Sequence, residues 1–459
     1  MSDTPNDNDF AVTRPHKLGY LAALRTALDE GAVRSAERMI NTLHPAEIAQ
    51  LLESLPPKRR ELVWEMTDAD LDGDVLVELS EDVRAQLIRE MEPEELAAAA
   101  EGMEVDDLAD LLSDLPETVT QQLLRNMDQQ DRERLTRVLS WPEDTAGGLM
   151  STDTVSVRSD VSLEVVQRYL RMRGDLPPRT DRLFVVDRDD RFLGTVTLAR
   201  LLTDDPDNLV GSSLDSEAPR IAPDTAASEV SQLFRDRDLV SAPVVDEQGV
   251  LLGRITVDDV VDVITEEAAH EVMAGAGLRD EEDVFAPVFK TTRRRMLWLG
   301  VNLLTAIMAG LVVQRFEGTI EKVAALAALM PIVAGMGGNA GTQTVTLIIR
   351  SLALGQVQWR DARWLVLREM GVGALNGMVM SVILAAITVA WLGTWKIAVI
   401  IAAAMMTNLL ASAFVGVMVP LTLRRMQIDP ALAAGVILTT FTDCIGFATL
   451  LGLGTLFLV

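Results

Sequence analysis

Residues 431–459 read ALAAGVILTTFTDCIGFATLLGLGTLFLV, with Asp443 as the single charge. A helix needs about 20 apolar residues to cross a hydrocarbon core, so this stretch is long enough to span one. Four more uncharged apolar runs precede it, at 296–314, 323–349, 370–395 and 397–423. A soluble domain does not present five such runs in sequence. The reading is a five-span transmembrane domain over 291–459.

The chain upstream has a different character. Residues 290–459 hold 13 Lys and Arg against 6 Asp and Glu, a net of +7, whereas the first 289 residues carry −34 of the total −27. An acidic half of this kind repels nucleic acid and attracts cations. On charge alone, solubility through excess Asp and Glu is the favoured account. The single cysteine, Cys444, excludes an intrachain disulfide, and His16, His44 and His270 are too scattered for a zinc site of the usual type. The polar start, MSDTPNDND, does not read as a signal peptide, and residues 1–17 are expected to be disordered and cytosolic.

Loop charges set the expected orientation. Lys290, Arg293, Arg294, Arg295, Arg350, Arg360, Arg363, Arg368, Arg424 and Arg425 flank one side of the spans; only Arg315, Lys322 and Lys396 flank the other. The positive-inside rule then puts the acidic half in the cytosol and the C-terminus outside. Five spans leave one chain without paired repeats, and a two-fold homodimer would place ten around a shared axis.

Polar residues within the spans carry the functional signal. An Asp at mid-membrane costs about 2.5–3.5 kcal/mol on insertion scales, so Asp443 is expected to face water or a cation. Thr439 and Thr440 share its helical face. The second span contains PIVAGMGGNAGTQTVT, residues 331–346, where Pro331 and four glycines predict an interrupted helix. Asn339 and Gln343 share a face there, with Thr342 and Thr346 close by; close packing through small residues is the competing account of the glycines. Asn302, Asn376, Asn408 and Ser412 fit interhelical hydrogen bonds as well as a pore. Glu369 either pairs with Arg368, caps, or attracts cations at a pore mouth.

This pattern suits Mg²⁺, which sheds water reluctantly and is held by one or two carboxylates plus waters. No Cys, His or Met cluster accompanies Asp443, which disfavours a soft transition metal.

The cytosolic half divides further. Residues 18–140 read as short amphipathic helices with a loose repeat, IAQLLESLP at 48–56 and LADLLSDLP at 108–116, which predicts an all-α superhelical N-domain. Asp106, Asp107, Asp110 and Asp114 lie on or beside the second copy and are expected to be mostly solvated face. Residues 141–265 hold a clearer duplication, RLFVVDRDDRFLGTVTLARLL (182–202) against SAPVVDEQGVLLGRITVDDVV (241–261), at an offset of 59. The order of extended segment, helix, strand, turn, strand, helix resembles a tandem pair of α/β CBS modules, about 141–205 and 209–265. Residues 266–290 form the connector. Asp258, Asp259, Asp262, Glu266, Glu267 and Glu271 recur at helical spacings across this junction, where like charges repel unless a divalent cation bridges them or water screens them.

With these pieces in place, the chain resembles the MgtE magnesium channels over nearly its whole length. The strongest match is PIVAGMGGNAGTQTVTLIIRSLALG, followed in order by REMGVG and DPALAAG…TTFTD. The resemblance implies a bacterial inner-membrane homodimer with its pore on the two-fold axis, lined by spans two and five, with Asp443 as pore Asp and Asn339 as second-span Asn. It also implies Mg²⁺ bound between the N-domain, CBS and connector surfaces, holding the pore shut. CBS pairs commonly bind adenine nucleotides such as ATP. Gly253, Thr256 and Asp259 fit that signature, while Arg200 replaces the Asp of the first module. One departure is Gly435-Val436, where many relatives carry a Pro at the start of span five.

Other readings keep transport but change the ion to Co²⁺, Mn²⁺ or Ca²⁺, or make the chain a membrane-tethered CBS sensor that moves nothing. A catalytic role is not expected, since no metalloprotease or P-loop motif is present.

Overall fold

The computed structural model describes residues 32–459 apart from 101–102, 114, 116–119, 121–123, 125–126, 128, 276 and 279–282, together with residues 24, 26 and 27. The expected disordered segment, 1–17, lies outside the described residues. Two compact units result: residues up to Ala268 with Glu281–Ala286, and Ala269–Asp280 with Pro287–Val459.

The first unit opens with short helices, α1 (Val33–Ile40), α2 (Pro45–Glu53), α3 (Pro57–Trp64), α4 (Asp72–Val77), α5 (Glu81–Ile88), α6 (Pro93–Ala100), α7 (Val105–Ser113) and α8 (Gln129–Val138). Their starts are written locally. Proline opens α2, α3 and α6, where its missing N–H costs nothing. His44 caps α2, its Nδ1 accepting from Ala46 N while its own N–H donates to Glu47. The sequence repeat falls on α2 and α7, whose Ile48, Leu51, Leu52, Leu108, Leu111 and Leu112 fill one core. Each helix is too short to be stable alone, so packing of that apolar stripe holds the stack.

The duplication has a structural counterpart in matching strand registers. In the first module β1 (Ser156–Arg158) runs parallel to β2 (Arg182–Val186), which pairs antiparallel with β3 (Phe192–Thr197). In the second, β4 (Ser241–Val245) pairs antiparallel with β5 (Leu251–Thr256), and Ile221 bridges Val244 where β1 stands in the first. Val185 faces Gly194 and Val244 faces Gly253, with a bulge after each valine. The intervening helices are α9 (Leu163–Arg173), α10 (Leu198–Thr203) and α11 (Ala227–Arg237), and α12 (Val257–Gly275) runs on unbroken past the module's expected end.

Among its described residues the second unit contains five helices long and apolar enough to cross a membrane: α13 (Val288–Gln314), then, after the short α14 (Glu317–Lys322), α15 (Ala325–Ala353), α16 (Ala362–Leu392), α17 (Trp395–Arg425) and α18 (Pro430–Leu458). Helix α17 is the most enclosed, packed by α15, α16 and α18. The expected interruption at 331–346 is corrected: α15 continues through Pro331 and the glycines. Packing accounts for this. A side chain at Gly337 would overlap Asn408, and one at Gly341 would overlap Leu438. Asn408 Nδ2 donates to Val333 O at 2.8 Å and Ser412 Oγ to Gly337 O at 2.7 Å, stitching α17 to α15. In lipid an unpaired backbone group costs several kcal/mol, more than the roughly 1 kcal/mol helix penalty of each glycine.

Candidate ion path and acidic seam

Helix α18 begins at Asp429, whose side chain accepts from Ala431 N, and Asp443 follows near its middle. Asp443 is half-buried and has no hydrogen-bond or ion-pair partner among the described residues. Thr440 turns its hydroxyl to Val436 O at 2.7 Å, and Thr439 does the same to Gly435 O at 3.1 Å. Gly435 and Thr439 lie one turn apart on an exposed face, with Asp443 next along it. Helix α15 has a matching stripe: Gly335, Asn339, Thr342, Gln343 and Thr346 are exposed, while Val333, Gly337, Gly341 and Thr344 point into the bundle. The structure thus leaves every residue expected at the pore, apart from Glu369, on an exposed or half-exposed face of one chain.

Glu369 is placed differently. It is buried, accepting from Arg368 Nη1 at 2.9 Å and from Thr344 Oγ1 at 3.3 Å. Of its three readings, the pair with Arg368 is the contact observed. Thr344 is itself wedged between Glu369 and Gly416, a junction of three spans that the sequence pattern does not reveal.

The acids of the N-terminal half meet in the first unit. Helix α7 presents Asp106, Asp107 and Asp110 toward the start of α12, and the electrostatic neighbours cross the gap: Asp106 with Asp259, Asp107 with Asp258 and Asp262, Asp110 with Glu266. Burial, reinforced by Asp259, Asp107 and Glu104, drives Asp106 well above the usual carboxylate range. Burial first, then neighbouring carboxylates, pushes Asp107, Asp110 and Asp259 each up to about 7. Asp106 is only 6% exposed and its Oδ1 has no hydrogen-bond partner among the described residues. Among the described residues no three of these side chains already stand at metal-binding distance of one another. Glu267 is exposed, and the side chain of Glu271 lies outside the described residues.

Local contacts account for the nucleotide-signature residues. A Cβ at Gly253 would meet Ser151 O at 2.6 Å. Asp259 accepts from Thr256 N and Thr256 Oγ1, both at 2.9 Å, closing the start of α12. In the first module Arg200 reaches Ser213 O at 3.1 Å.

Residues 330–453 match the MgtE family, described as a divalent cation transporter; 43–144 match the MgtE intracellular N domain; 146–205 and 212–266 match CBS domains. The magnesium transporter MgtE of Thermus thermophilus is 33% identical over 95% of this chain and 98% of its own length. The chain belongs to the MgtE family. The Bacillus subtilis magnesium transporter MgtE is 26% identical over 94% of this chain and 96% of its own. A crystal structure of the cytosolic domain of the Mg²⁺ channel MgtE in complex with ATP is 31% identical, covers 53% of this chain and 99% of that one, and superposes with a TM-score of 0.49. The expected architecture of helical N domain, CBS pair and five membrane-spanning helices is that of an MgtE protein.

Two features of this MgtE chain escaped the sequence reading. Arg179, in the turn before β2, contacts Glu104 and Asp258 at 3.0 and 2.8 Å. Arg60, fully buried, pairs with Asp283 at 3.1 Å. Their partners lie 75, 79 and 223 residues away, beyond any helical or strand periodicity.

Proposed function

We propose that this MgtE protein is a homodimeric Mg²⁺ channel of a bacterial inner membrane, with its N-terminus cytosolic and its C-terminus outside. One observation supports it above the rest: Asp443, near the middle of a membrane span, has no hydrogen-bond or ion-pair partner among the described residues. A carboxylate there is costly unless water or a cation meets it. The exposed stripes of α15 and α18 supply the setting, with Gly335, Gly338 and Gly435 leaving open space for a second copy to approach. Two protomers facing each other across these stripes would bring two Asp443 carboxylates, with Asn339, Gln343, Thr342, Thr439 and Thr440, around a hydrated ion. Such a site favours Mg²⁺, which keeps most of its waters.

Gating is the second part of the reading. The seam between α7 and α12 concentrates Asp106, Asp107, Asp110, Asp258, Asp259, Asp262 and Glu266, with Glu267 and Glu271 farther along. Cytosolic Mg²⁺ binding there favours the compact seam by mass action and holds the pore shut. ATP, bound at the second CBS module near Gly253, Thr256 and Asp259, would draw on the same Asp259 that faces the seam. Catalysis has no part in the reading.

The test is Mg²⁺ influx into proteoliposomes under an inside-negative potential, with wild type and Asp443→Ala. Influx in the wild type and none in the variant is expected. Equal influx in both would remove the pore assignment, and no influx in either would favour the sensor.

A further inference from the structure

The seam already contains a cation of its own. Arg179 Nη1 lies 3.0 Å from Glu104 Oε1, just ahead of α7, and 2.8 Å from Asp258 Oδ2, at the start of α12. One guanidinium nitrogen thus bridges the two sides of the seam, with Asp107 and Asp259 among its electrostatic neighbours.

The backbone that carries it is strained and firmly held. Arg179 has φ 55°, in the left-handed region that side chains other than Gly and Asn seldom occupy. The flanking residues explain how this persists. Arg254, buried in β5, donates to Pro178 O at 2.7 Å, and Thr180 Oγ1 donates to Pro177 O at 2.6 Å. Asp181 accepts from Ser241 of β4 and from Arg182 Nε, and its carbonyl accepts from Leu198 N at 2.9 Å. A turn of the first CBS module is therefore clamped by both strands of the second. The residue between the clamps is the one aimed at Glu104 and Asp258. Strain retained by surrounding structure in this way marks a position with a task.

We infer that Arg179 is a resident counter-ion of the acidic seam, holding it partly closed when Mg²⁺ is absent and so narrowing the response to Mg²⁺. The inference rests on the seam being the Mg²⁺-responsive element. A guanidinium neutralises one charge, whereas a divalent ion neutralises two and draws in more carboxylates. Arg179 thus substitutes for part of what Mg²⁺ does, and yields Asp258 when the ion arrives.

Hydrogen exchange of the full-length protein in detergent tests this, read on peptides covering 105–113 and 257–268, in EDTA and at saturating Mg²⁺ with matched ionic strength. Arg179→Asn removes the charge while suiting the left-handed backbone; Arg179→Lys keeps the charge. In EDTA, Arg179→Asn should exchange about two- to fivefold faster than wild type, the size of one partly exposed ion pair, with Arg179→Lys between them. Saturating Mg²⁺ should return all three to the same protection. A wild type indifferent to Mg²⁺ would remove the sensing reading and this inference with it. A responsive wild type beside an Arg179→Asn variant that matches it in EDTA, or that Mg²⁺ cannot close, would overturn the counter-ion alone.

Discussion

Arg60 and Asp283, 223 residues apart, form an ion pair at 3.1 Å in which the arginine is wholly enclosed and the carboxylate nearly so. The guanidinium also donates to Leu52 O at 3.0 Å, Leu55 O at 3.1 Å and Gln86 Oε1 at 2.8 Å. The other oxygen of Asp283 accepts from Phe285 N at 2.8 Å, two residues before Pro287 caps α13. Removing one partner of a buried pair typically costs about 3–5 kcal/mol. Arg60→Ala should therefore lower the stability of the cytosolic half by that amount in chemical denaturation. Asp283→Asn should cost less, because Arg60 keeps its other acceptors, Leu52 O, Leu55 O and Gln86 Oε1. Equal losses for the two variants would contradict this division.

Asp443→Asn separates charge from shape. The variant should conduct Mg²⁺ at least about tenfold more slowly in liposomes, since the ion loses its carboxylates. Its thermal midpoint should equal or exceed that of wild type, because a carboxylate with no partner among the described residues is expensive in a membrane span. A lower midpoint would show instead that Asp443 has a structural role.

Two neighbouring glycines should behave oppositely. At Gly337 an added methyl group meets Asn408 and disturbs the bond to Val333 O, so Gly337→Ala should cost about 1–3 kcal/mol, the usual price of overpacking. Gly335 looks onto open space in the single chain, so Gly335→Ala should leave monomer stability intact and act, if at all, on dimerisation and flux. Thermal melts paired with cross-linking would read both.

The seam should respond to pH. Asp107, Asp110 and Asp259 titrate near 3.8 when unburied and are pushed up to about 7 by burial and neighbouring carboxylates. Acids raised in the folded state stabilise it fully below their unfolded values and lose that contribution as pH climbs through the folded ones. The compact seam should thus weaken between about pH 4 and 7. Without Mg²⁺, exchange in α7, corrected for intrinsic rates, should quicken from pH 5 to 8; Mg²⁺ should reverse this at pH 8, and its binding should release protons near pH 6, where the compact seam still holds them. A flat profile over that range would argue against the seam as placed.

Much of this protein is legible in one dimension because the physics involved is local. Five apolar runs have to be helices in lipid, where backbone groups can only satisfy one another. The CBS duplication reads from a constant offset because each copy repeats the same strand–turn–strand register. Asp443 stands out because hydrocarbon around a charge is a property of its neighbours in sequence. The glycines at 331–346 misled in one respect, since their effect on a helix depends on what packs against it. Only the folded chain shows that Asn408 and Leu438 fill the places that side chains on Gly337 and Gly341 would need.

The sequence by itself therefore determined the division into an acidic helical half, a CBS pair and a membrane bundle, together with the carboxylate at mid-span. Tertiary structure decided which polar groups meet: Arg179 pairs with Glu104 and Asp258, Arg60 pairs with Asp283, and the Thr344 hydroxyl donates to Glu369. Hydrophobic periodicity is written residue by residue along the chain. Charge pairing across tens or hundreds of residues depends on a distance that exists only after the chain has folded.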